Sequence, residues 1–269
     1  MCIGGPFSRV CPRDIPTGTL RRVSLGRNKR MSVELAVVMP AYNEGNRIYE
    51  NLLTCAATLE KFCPSFRIIA VNDGSTDNTE TEMRRAAAEN AKIGIISYEK
   101  NRGKGYAIRR GMMASKARYT AFLDADLDLP PEQLEGYLSA MKERGTDIVL
   151  GSKLHPDSNL EYPFYRKAMT MGYYLYLKLL FHLPIRDTQT GIKLFSTEAI
   201  RPVVSAMRSD RFCFDIELLA LAKKNGLSME ERPVVVRYHG DGERKTKIRL
   251  RTIFDMFFET FRIWRRIKK

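Results

Sequence analysis

The feature that most narrows the fold is an alternation that begins just after Met31: short β-branched or apolar runs, each followed by a polar or glycine-rich stretch and then a helical pattern. Leu35 to Met39, Ile68 to Asn72, Ile93 to Tyr98, Thr120 to Leu123 and Asp147 to Gly151 read as strands. Between them, Arg47 to Lys61 carries Ile48, Leu52, Leu53, Ala56 and Leu59 on one helical face, and Asp77 to Asn90 and Lys104 to Lys116 are helix-like as well. Strands separated by single helices make parallel βαβ units, so the expected class is α/β, a Rossmann-like, mostly parallel sheet flanked by helices. Ligands of such sheets bind outside the carboxyl ends of the strands, where the polar stretches should converge on one crevice.

After Gly151 the pattern changes to a long aromatic helix from about Tyr162 to Leu183, a polar loop, a short strand at Lys193 to Phe195 and a helix starting near Asp215. The last segment, Lys247 to Lys269, sets Ile253, Phe254, Phe257, Phe258, Phe261, Trp264 and Ile267 on one helical stripe with arginines and lysines beside it. Such a stripe packs on its own domain or lies at a lipid headgroup boundary. The two roles can be shared, with Phe254 and Phe258 inside and Trp264 outside.

The formal net charge of +14 decides between classes of partner only through its distribution. Residues 1–30 hold seven Lys/Arg against Asp14, residues 244–269 hold ten against Asp255 and Glu259, and the stretch between them is balanced at 28 of each sign. A protein that grips nucleic acid along its face needs excess charge in the folded body, so an anionic membrane surface ranks above nucleic acid as a partner. Three parts follow: a disordered basic extension over 1–30, a catalytic domain over 31–243 and a basic amphipathic helix over 244–269. Met31, directly ahead of the first strand, is the expected start of translation. Five cysteines without a CxxC pair support neither a disulfide framework nor a zinc ribbon, and suggest a reducing compartment. The most apolar window, Met169 to Leu183, is interrupted by Lys178 and His182 and is shorter than the roughly 18–20 residues of a span, so no transmembrane helix is expected.

The strand ends carry the chemistry. Val37-Val38-Met39-Pro40-Ala41-Tyr42-Asn43-Glu44 ends the first strand in a proline expected to stop it. In Val71-Asn72-Asp73-Gly74-Ser75-Thr76, Ser75 or Thr76 can cap the next helix. Asp73 is either a turn-former bonded to nearby N–H groups or a carboxylate that accepts from a nucleobase or ribose. Asn101-Arg102-Gly103-Lys104-Gly105 opens a helix and can bring Lys104 to a phosphate, although P-loop spacing is absent. Asp124, Asp126 and Asp128 alternate after the fourth strand, which turns them to one side. They form either a solvated acidic turn before Pro130-Pro131-Glu132 or a site for Mg²⁺ or Mn²⁺, because hard oxygen ligands suit those ions.

In this order, each after an expected strand, the four motifs make residues 34–200 resemble the family 2 glycosyltransferases. The resemblance implies a GT-A fold, with Pro40, Tyr42, Glu44, Asp73, Lys104 and Asp124 at the nucleotide-sugar donor. It makes Asp73 the contact to a uridine or guanosine base, Asp126 the principal metal ligand and Asp124 its partner near the ribose, with Asp128 beside them. The stretch Arg186-Asp187-Thr188-Gln189-Thr190-Gly191-Ile192-Lys193-Leu194-Phe195 and Phe214-Asp215-Ile216-Glu217 look like the branch that glycosylates polyprenyl phosphates, the dolichyl-phosphate glucosyltransferases above all. Arg237-Tyr238-His239-Gly240, ahead of Thr246-Lys247, is similar to the lipid-phosphate segment of dolichyl-phosphate mannose synthases. The second half is then expected to form the acceptor site, with Arg186, Arg237 and Lys153 on the lipid phosphate or, for the two arginines, in surface ion pairs. The sequence departs from the relatives at Asp128 (Gln there), at Lys153 (Arg there) and in the insert Asp241 to Lys245.

A phosphate monoester has a second pKa near 6 and is largely dianionic at neutral pH, so it attacks without a strong base. Asp187 is therefore expected to orient the sugar or Arg186, unless it simply opens a tight polar loop. The resulting expectation is inverting transfer of a hexose, with glucose favoured, from UDP-glucose or GDP-mannose to dolichyl or undecaprenyl phosphate, by a peripheral enzyme on the cytoplasmic face of a membrane. The rivals are a glycan or small-molecule hydroxyl acceptor, which would need a base such as Asp187, and a binding module for nucleotide sugars or nucleic acid.

Overall fold

The computed structural model describes residues 33–158, 164–211, 213–237 and 250–268. The extension 1–30, Met31, the stretch 238–249 and the side chains of Ile253 and Phe254 lie outside the described residues. The first half alternates as expected: β1 (Leu35–Ala41), α1 (Ile48–Phe62), β2 (Phe66–Asp73), α2 (Thr79–Glu89), β3 (Ile93–Tyr98), α3 (Lys104–Ala114) and β4 (Tyr119–Leu123). The second half adds α4 (Gln133–Arg144), β5 (Ile148–Ser152), α5 (Phe164–Phe181), β6 (Ile192–Ser196), α6 (Thr197–Ala206), α7 (Phe214–Lys224), β7 (Met229–Pro233) and α8 (Leu250–Lys268). One sheet in the order β3-β2-β1-β4-β6-β5-β7 holds all seven strands. It is mostly parallel, with β6 running antiparallel to both β4 and β5.

Strand apolarity follows from burial on both faces. Leu35, Val37 and Met39 enter one core with α1, α2 and α4, while Ala36 and Val38 enter the other with α3, α6 and α7. A strand covered on both sides reads as a continuous apolar run, which is why β1, β2 and β4 stand out in the sequence. Because β1 connects outward to β2 and β3 and the chain then returns to place β4 on its other flank, the strand order reverses between β1 and β4. The crevice of a doubly wound sheet opens at that reversal.

Several local expectations give way. Pro40 does not stop β1, which runs on to Ala41. Beyond Val38 the strand pairs with β2 alone, and an edge position tolerates proline. Neither Ser75 nor Thr76 caps α2. The helix starts at Thr79, whose N–H is taken by Asp77 Oδ1 at 3.0 Å, and Ser75 Oγ accepts the N–H of Asn43 instead. The division of the C-terminal stripe is also different. In α8 the seam against the domain is Met256, Thr260, Ile263 and Ile267, with Phe257 against Tyr176 and Tyr173 of α5. Phe258 sits 160° of helical turn away from Thr260 and is 67% exposed, whereas Trp264 packs partly on the core.

Helix α3 approaches the sheet closely enough that its glycine is required. A Cβ at Gly111 would lie 2.3 Å from Val38 Cγ1 and 3.2 Å from Val71 Cγ2. Removing a helical glycine ordinarily gains up to about 1 kcal/mol, but overpacking a filled core costs about 1–3 kcal/mol. The expected result for Gly111→Ala is a net loss of about 1–2 kcal/mol. It is read as a lower urea midpoint at unchanged m-value, and a higher midpoint would contradict the packing.

Candidate active site

At the β1/β4 reversal the strand ends surround a crevice of about 370 Å³. Its wall takes Pro40, Tyr42 and Glu44 from the end of β1, Asp73 from β2, Lys104 from the start of α3, and Asp124 and Asp126 from beyond β4. The loops after β1 and β2 are fastened to each other: Asn43 N–H donates to Ser75 Oγ at 3.0 Å, Thr76 N–H to Asn43 Oδ1 at 2.9 Å and Glu44 N–H to Thr79 Oγ1 at 2.8 Å. The rim is therefore preorganised by its own hydrogen bonds.

Asp73 is the anchor of the next turn. Its Oδ1 accepts from Tyr98 OH at 2.7 Å and Arg102 N–H at 2.9 Å, and its Oδ2 from Asn101 Nδ2 at 3.0 Å and Gly103 N–H at 2.8 Å. Burial, together with donation to this carboxylate, pushes the Tyr98 phenol well above its ordinary pKa. The turn-forming role of Asp73 is thus observed, in a residue that also lines the crevice. Gly74 and Gly103 adopt φ of +64° and +102°, and a Cβ on either would strike backbone, at Asn101 N (2.4 Å) and Asp210 O (2.5 Å) respectively.

Lys104 extends from this turn to Asp124, Nζ to Oδ1 at 2.5 Å. Burial lowers the lysine pKa, but the carboxylates of Asp124 and Asp215 more than offset it, and the group stays a firm cation. Asp124, Asp126 and Asp128 are half-buried while Ala125, Leu127 and Leu129 between them are buried, in keeping with the alternation. Burial and the like charges of Asp124 and Asp128 raise the Asp126 pKa. Among the described residues no three His, Cys, Asp or Glu side chains group to hold a metal by themselves, and Asp128 is not in the crevice wall. The donor set fits a hard cation through Asp126 and Asp124 with most positions left to other oxygens, the habit of Mg²⁺ and Mn²⁺ beside a diphosphate.

The expected acceptor residues are not in this wall. Both oxygens of Asp187 face its own neighbourhood: Oδ2 accepts from Lys153 N–H at 2.9 Å and Thr190 Oγ1 at 2.5 Å, and Oδ1 from Gln189 N–H at 2.9 Å. Arg186 is exposed, and its N–H and that of Asp187 both donate to Glu231 Oε1, at 2.7 and 2.9 Å. Arg237 is an exposed side chain 3.7 Å from Glu132 Oε1, and its N–H donates to Asp128 O at 2.8 Å. Of the ion-pair alternative stated for the two arginines, the Arg237 part is observed.

What sequence reasoning missed is the buried charge of Lys193 and a basic residue in the crevice wall. Lys193 is fully buried, its ammonium 2.7 Å from Asp215 Oδ1, 2.7 Å from Thr190 O and 4.7 Å from the centre of the Phe122 ring. A lysine inside an apolar strand was the visible signal. Arg211, from the loop between α6 and α7, joins the crevice wall without any motif to announce it. The loop carrying Thr190 also abuts the acidic turn: Asp124 N–H donates to Gly191 O at 3.0 Å, and a Cβ on Gly191 would sit 2.1 Å from Asp124 Oδ2. Removing the Lys193 charge strands Asp215 in the core, a change that typically costs about 3–5 kcal/mol. Lys193→Met is expected to lower Tm by about 6 °C or more, at roughly 2–4 °C per kcal/mol for a chain of this size. Lys193→Met combined with Asp215→Leu should recover much of that loss in thermal unfolding, and a double substitution as unstable as the single one would contradict the assignment.

Comparison with known proteins agrees with this geometry. The Glycosyl transferase family 2 domain matches residues 36–203. A dolichyl-phosphate β-glucosyltransferase of Drosophila melanogaster is 35% identical over 232 residues, covering 80% of this chain and 70% of the relative. The enzyme of that description from Saccharomyces cerevisiae is 31% identical over 221 residues, covering 74% and 66%. Among solved structures, glucosyl-3-phosphoglycerate synthase of Mycobacterium tuberculosis, in complex with Mn²⁺, UDP and glucosyl-3-phosphoglycerate, aligns with a TM-score of 0.62 at 19% identity over 86% of this chain and 78% of that one. The fold is thus shared well beyond recognisable sequence identity, the family signature covers more than half the chain, and the protein is a member of glycosyltransferase family 2.

Proposed function

We propose that the protein transfers glucose, with inversion, from a nucleoside-diphosphate sugar to a dolichyl-type polyprenyl phosphate. The observation that carries the reading is the crevice itself: Asp73, Lys104, Asp124 and Asp126 meet at the carboxyl ends of β1, β2 and β4, in a family whose relatives of about one-third identity are named for this reaction. Asp124 and Asp126 would hold a divalent cation, Mg²⁺ or Mn²⁺, whose charge stabilises the leaving diphosphate. Lys104 adds a second positive charge at the start of α3, where the helix dipole also favours an anion. Asp73 orients the base side of the donor through the turn it fastens, and Pro40, Tyr42 and Glu44 line the remaining wall. In this reading no enzyme carboxylate removes a proton, because the attacking phosphate is already ionised. The engagement of both Asp187 oxygens, with Gln189 and Thr190 of its own loop and with the Lys153 N–H, supports that reading, and makes Asp187 the residue that fixes Lys153 and the 187–190 turn. Lys153, Arg186 and Arg237 remain the proposed contacts of the lipid phosphate, approaching from beside the crevice.

The assay is incubation with a panel of nucleotide sugars and a short polyprenyl phosphate or the matching polyprenol, with products identified by mass. Glucosylated phosphate alone is the expected product, and its formation should rise with pH through the acceptor's second pKa near 6. Equal use of the polyprenol would replace this mechanism with hydroxyl attack. Asp126→Ala is expected to lower kcat by at least about two to three decades, the scale of a lost principal electrostatic stabiliser. Full activity of wild-type protein in EDTA would refute the metal assignment.

A peripheral position on the cytoplasmic face of a membrane belongs to the same proposal. No helix among the described residues is long and apolar enough to cross a bilayer. Leu175 and Leu179 of α5 and Phe258 and Phe261 of α8 are exposed on two helices that pack together, with exposed Lys178, Arg262, Arg265 and Lys268 on the same helices. Apolar side chains flanked by cations suit an anionic headgroup layer, at roughly 1 kcal/mol per cation near the surface. In flotation with anionic vesicles, Phe258→Glu combined with Phe261→Glu should release the full-length protein, and added salt should weaken binding of the wild type. Unchanged flotation would place the contact elsewhere.

A further inference from the structure

We infer that Arg211, in the crevice wall beside the first turn of α3, binds the diphosphate of the donor; this rests on the glycosyl-transfer reading and adds a residue to it. The crevice wall contains two basic side chains, Lys104 and Arg211. Lys104 is committed to Asp124. Among the described residues the Arg211 guanidinium has neither a hydrogen-bond nor an ion-pair partner, and its acidic neighbour Asp210 is held by Arg109, Nη2 to Oδ1 at 2.6 Å.

The backbone that presents Arg211 is firmly built. The buried carboxylate of Glu217 accepts the N–H groups of Arg208 at 2.9 Å and Ser209 at 2.6 Å. Arg109 Nη1 donates to Met207 O at 2.7 Å, and Tyr106 N–H to Asp210 O at 3.1 Å. The loop sits so close to α3 that a Cβ on Gly103 would be 2.5 Å from Asp210 O, and one on Gly105 2.5 Å from Phe214 Cβ. The same Gly103 position lies 3.1 Å from Arg211 Cγ, so the arginine stem rests on the first turn of α3, next to Lys104.

A guanidinium delivered in this way, unpaired and beside the positive end of a helix, answers a specific need. A nucleoside diphosphate brings at least two negative charges into a crevice that already holds Asp124 and Asp126. Lys104 and the divalent ion together offset three of these four or more charges, which leaves the phosphate oxygens in need of a further cation. Arginine meets it with a two-pronged fork that lysine lacks.

The test is calorimetric titration of the full-length protein, in Mn²⁺, with UDP and with UMP, which lacks the outer phosphate. Arg211→Ala should weaken UDP about tenfold or more and UMP much less, with Arg211→Lys in between. Thermal unfolding, expected to be unchanged for this exposed side chain, separates a lost contact from a lost fold. UDP binding equal to wild type in Arg211→Ala would overturn the inference, as would equal losses for UDP and UMP, or unchanged UDP affinity with a raised KM for the polyprenyl phosphate. Absence of UDP binding to wild-type protein, by contrast, would remove the glycosyl-transfer reading together with this one.

Discussion

The buried ion pair of Lys193 and Asp215 is the constraint on which the arrangement of the second half turns. Lys193 lies on β6, in register with Phe122 of β4, where an apolar residue would satisfy the sheet. Its ammonium instead collects three groups from three segments: the Thr190 carbonyl before β6, the Asp215 carboxylate in the first turn of α7 and the face of Phe122. Such a pair adds little net stability over a well-packed apolar alternative, since desolvation consumes most of the Coulombic gain. What it does is penalise every arrangement in which α7, β6 and the polar loop are out of place, because each would leave a charge stranded in the core. Burial raises the Asp215 pKa, with Lys193 and Lys104 opposing it.

From that pair the positive and negative groups of the crevice follow in sequence. Asp215 helps to hold Lys104 charged, Lys104 grips Asp124, and Asp124 is pressed against the glycine that ends the Thr190 loop. Asp73 takes no part in this chain, since its four hydrogen bonds are spent on the turn that launches α3. Burial and the acidic neighbours Asp124 and Asp128 raise the Asp126 pKa, with Lys104 opposing them. Carboxylates gathered this closely favour a cation among them, and hard oxygen ligands suit a divalent one.

How much of this could be read in the sequence depended on whether the cause was local. β1, β2 and β4 were legible because both of their faces are mostly buried and their residues are mainly apolar or β-branched, with Arg67 of β2 exposed. Their polar ends were legible because a loop at the sheet edge must solvate or bond its backbone, so Asp73, Lys104, Asp124 and Asp126 could be placed together from order alone. β7 was missed: Met229-Glu-Glu-Arg-Pro is an edge strand with no fully buried residue, and its acids serve Arg144, Arg186 and Asp187 rather than a core. α6 was missed because Pro202 interrupts its pattern. Arg211 was missed because no motif announces it: its loop is set by Glu217 of α7, close by in the chain, and by Tyr106 and Arg109 of α3, far from it in sequence. The lipid-phosphate residues were inferred from likeness alone, and there the side chains stand outside the crevice wall.

The C-terminal helix and the crevice meet at one residue. Glu217 uses one carboxylate oxygen for the N–H groups of Arg208 and Ser209, which set the Arg211 loop, and the other for the guanidinium of Arg266 on α8. Lys224 Nζ, donating to Ile267 O at 2.5 Å, closes the end of the same helix. These two contacts, with Thr260 and Ile263 in the seam, fix the rotation of α8 about its axis. That rotation leaves Phe258 and Phe261 exposed, with the Phe261 ring against Trp264. A helix that needed only to cover its own core would carry one apolar stripe, and this one carries a second among its cations. Leaving that apolar surface in water costs about 25 cal/mol per Å². Through Glu217 the helix that carries this stripe is tied to the loop that lines the crevice.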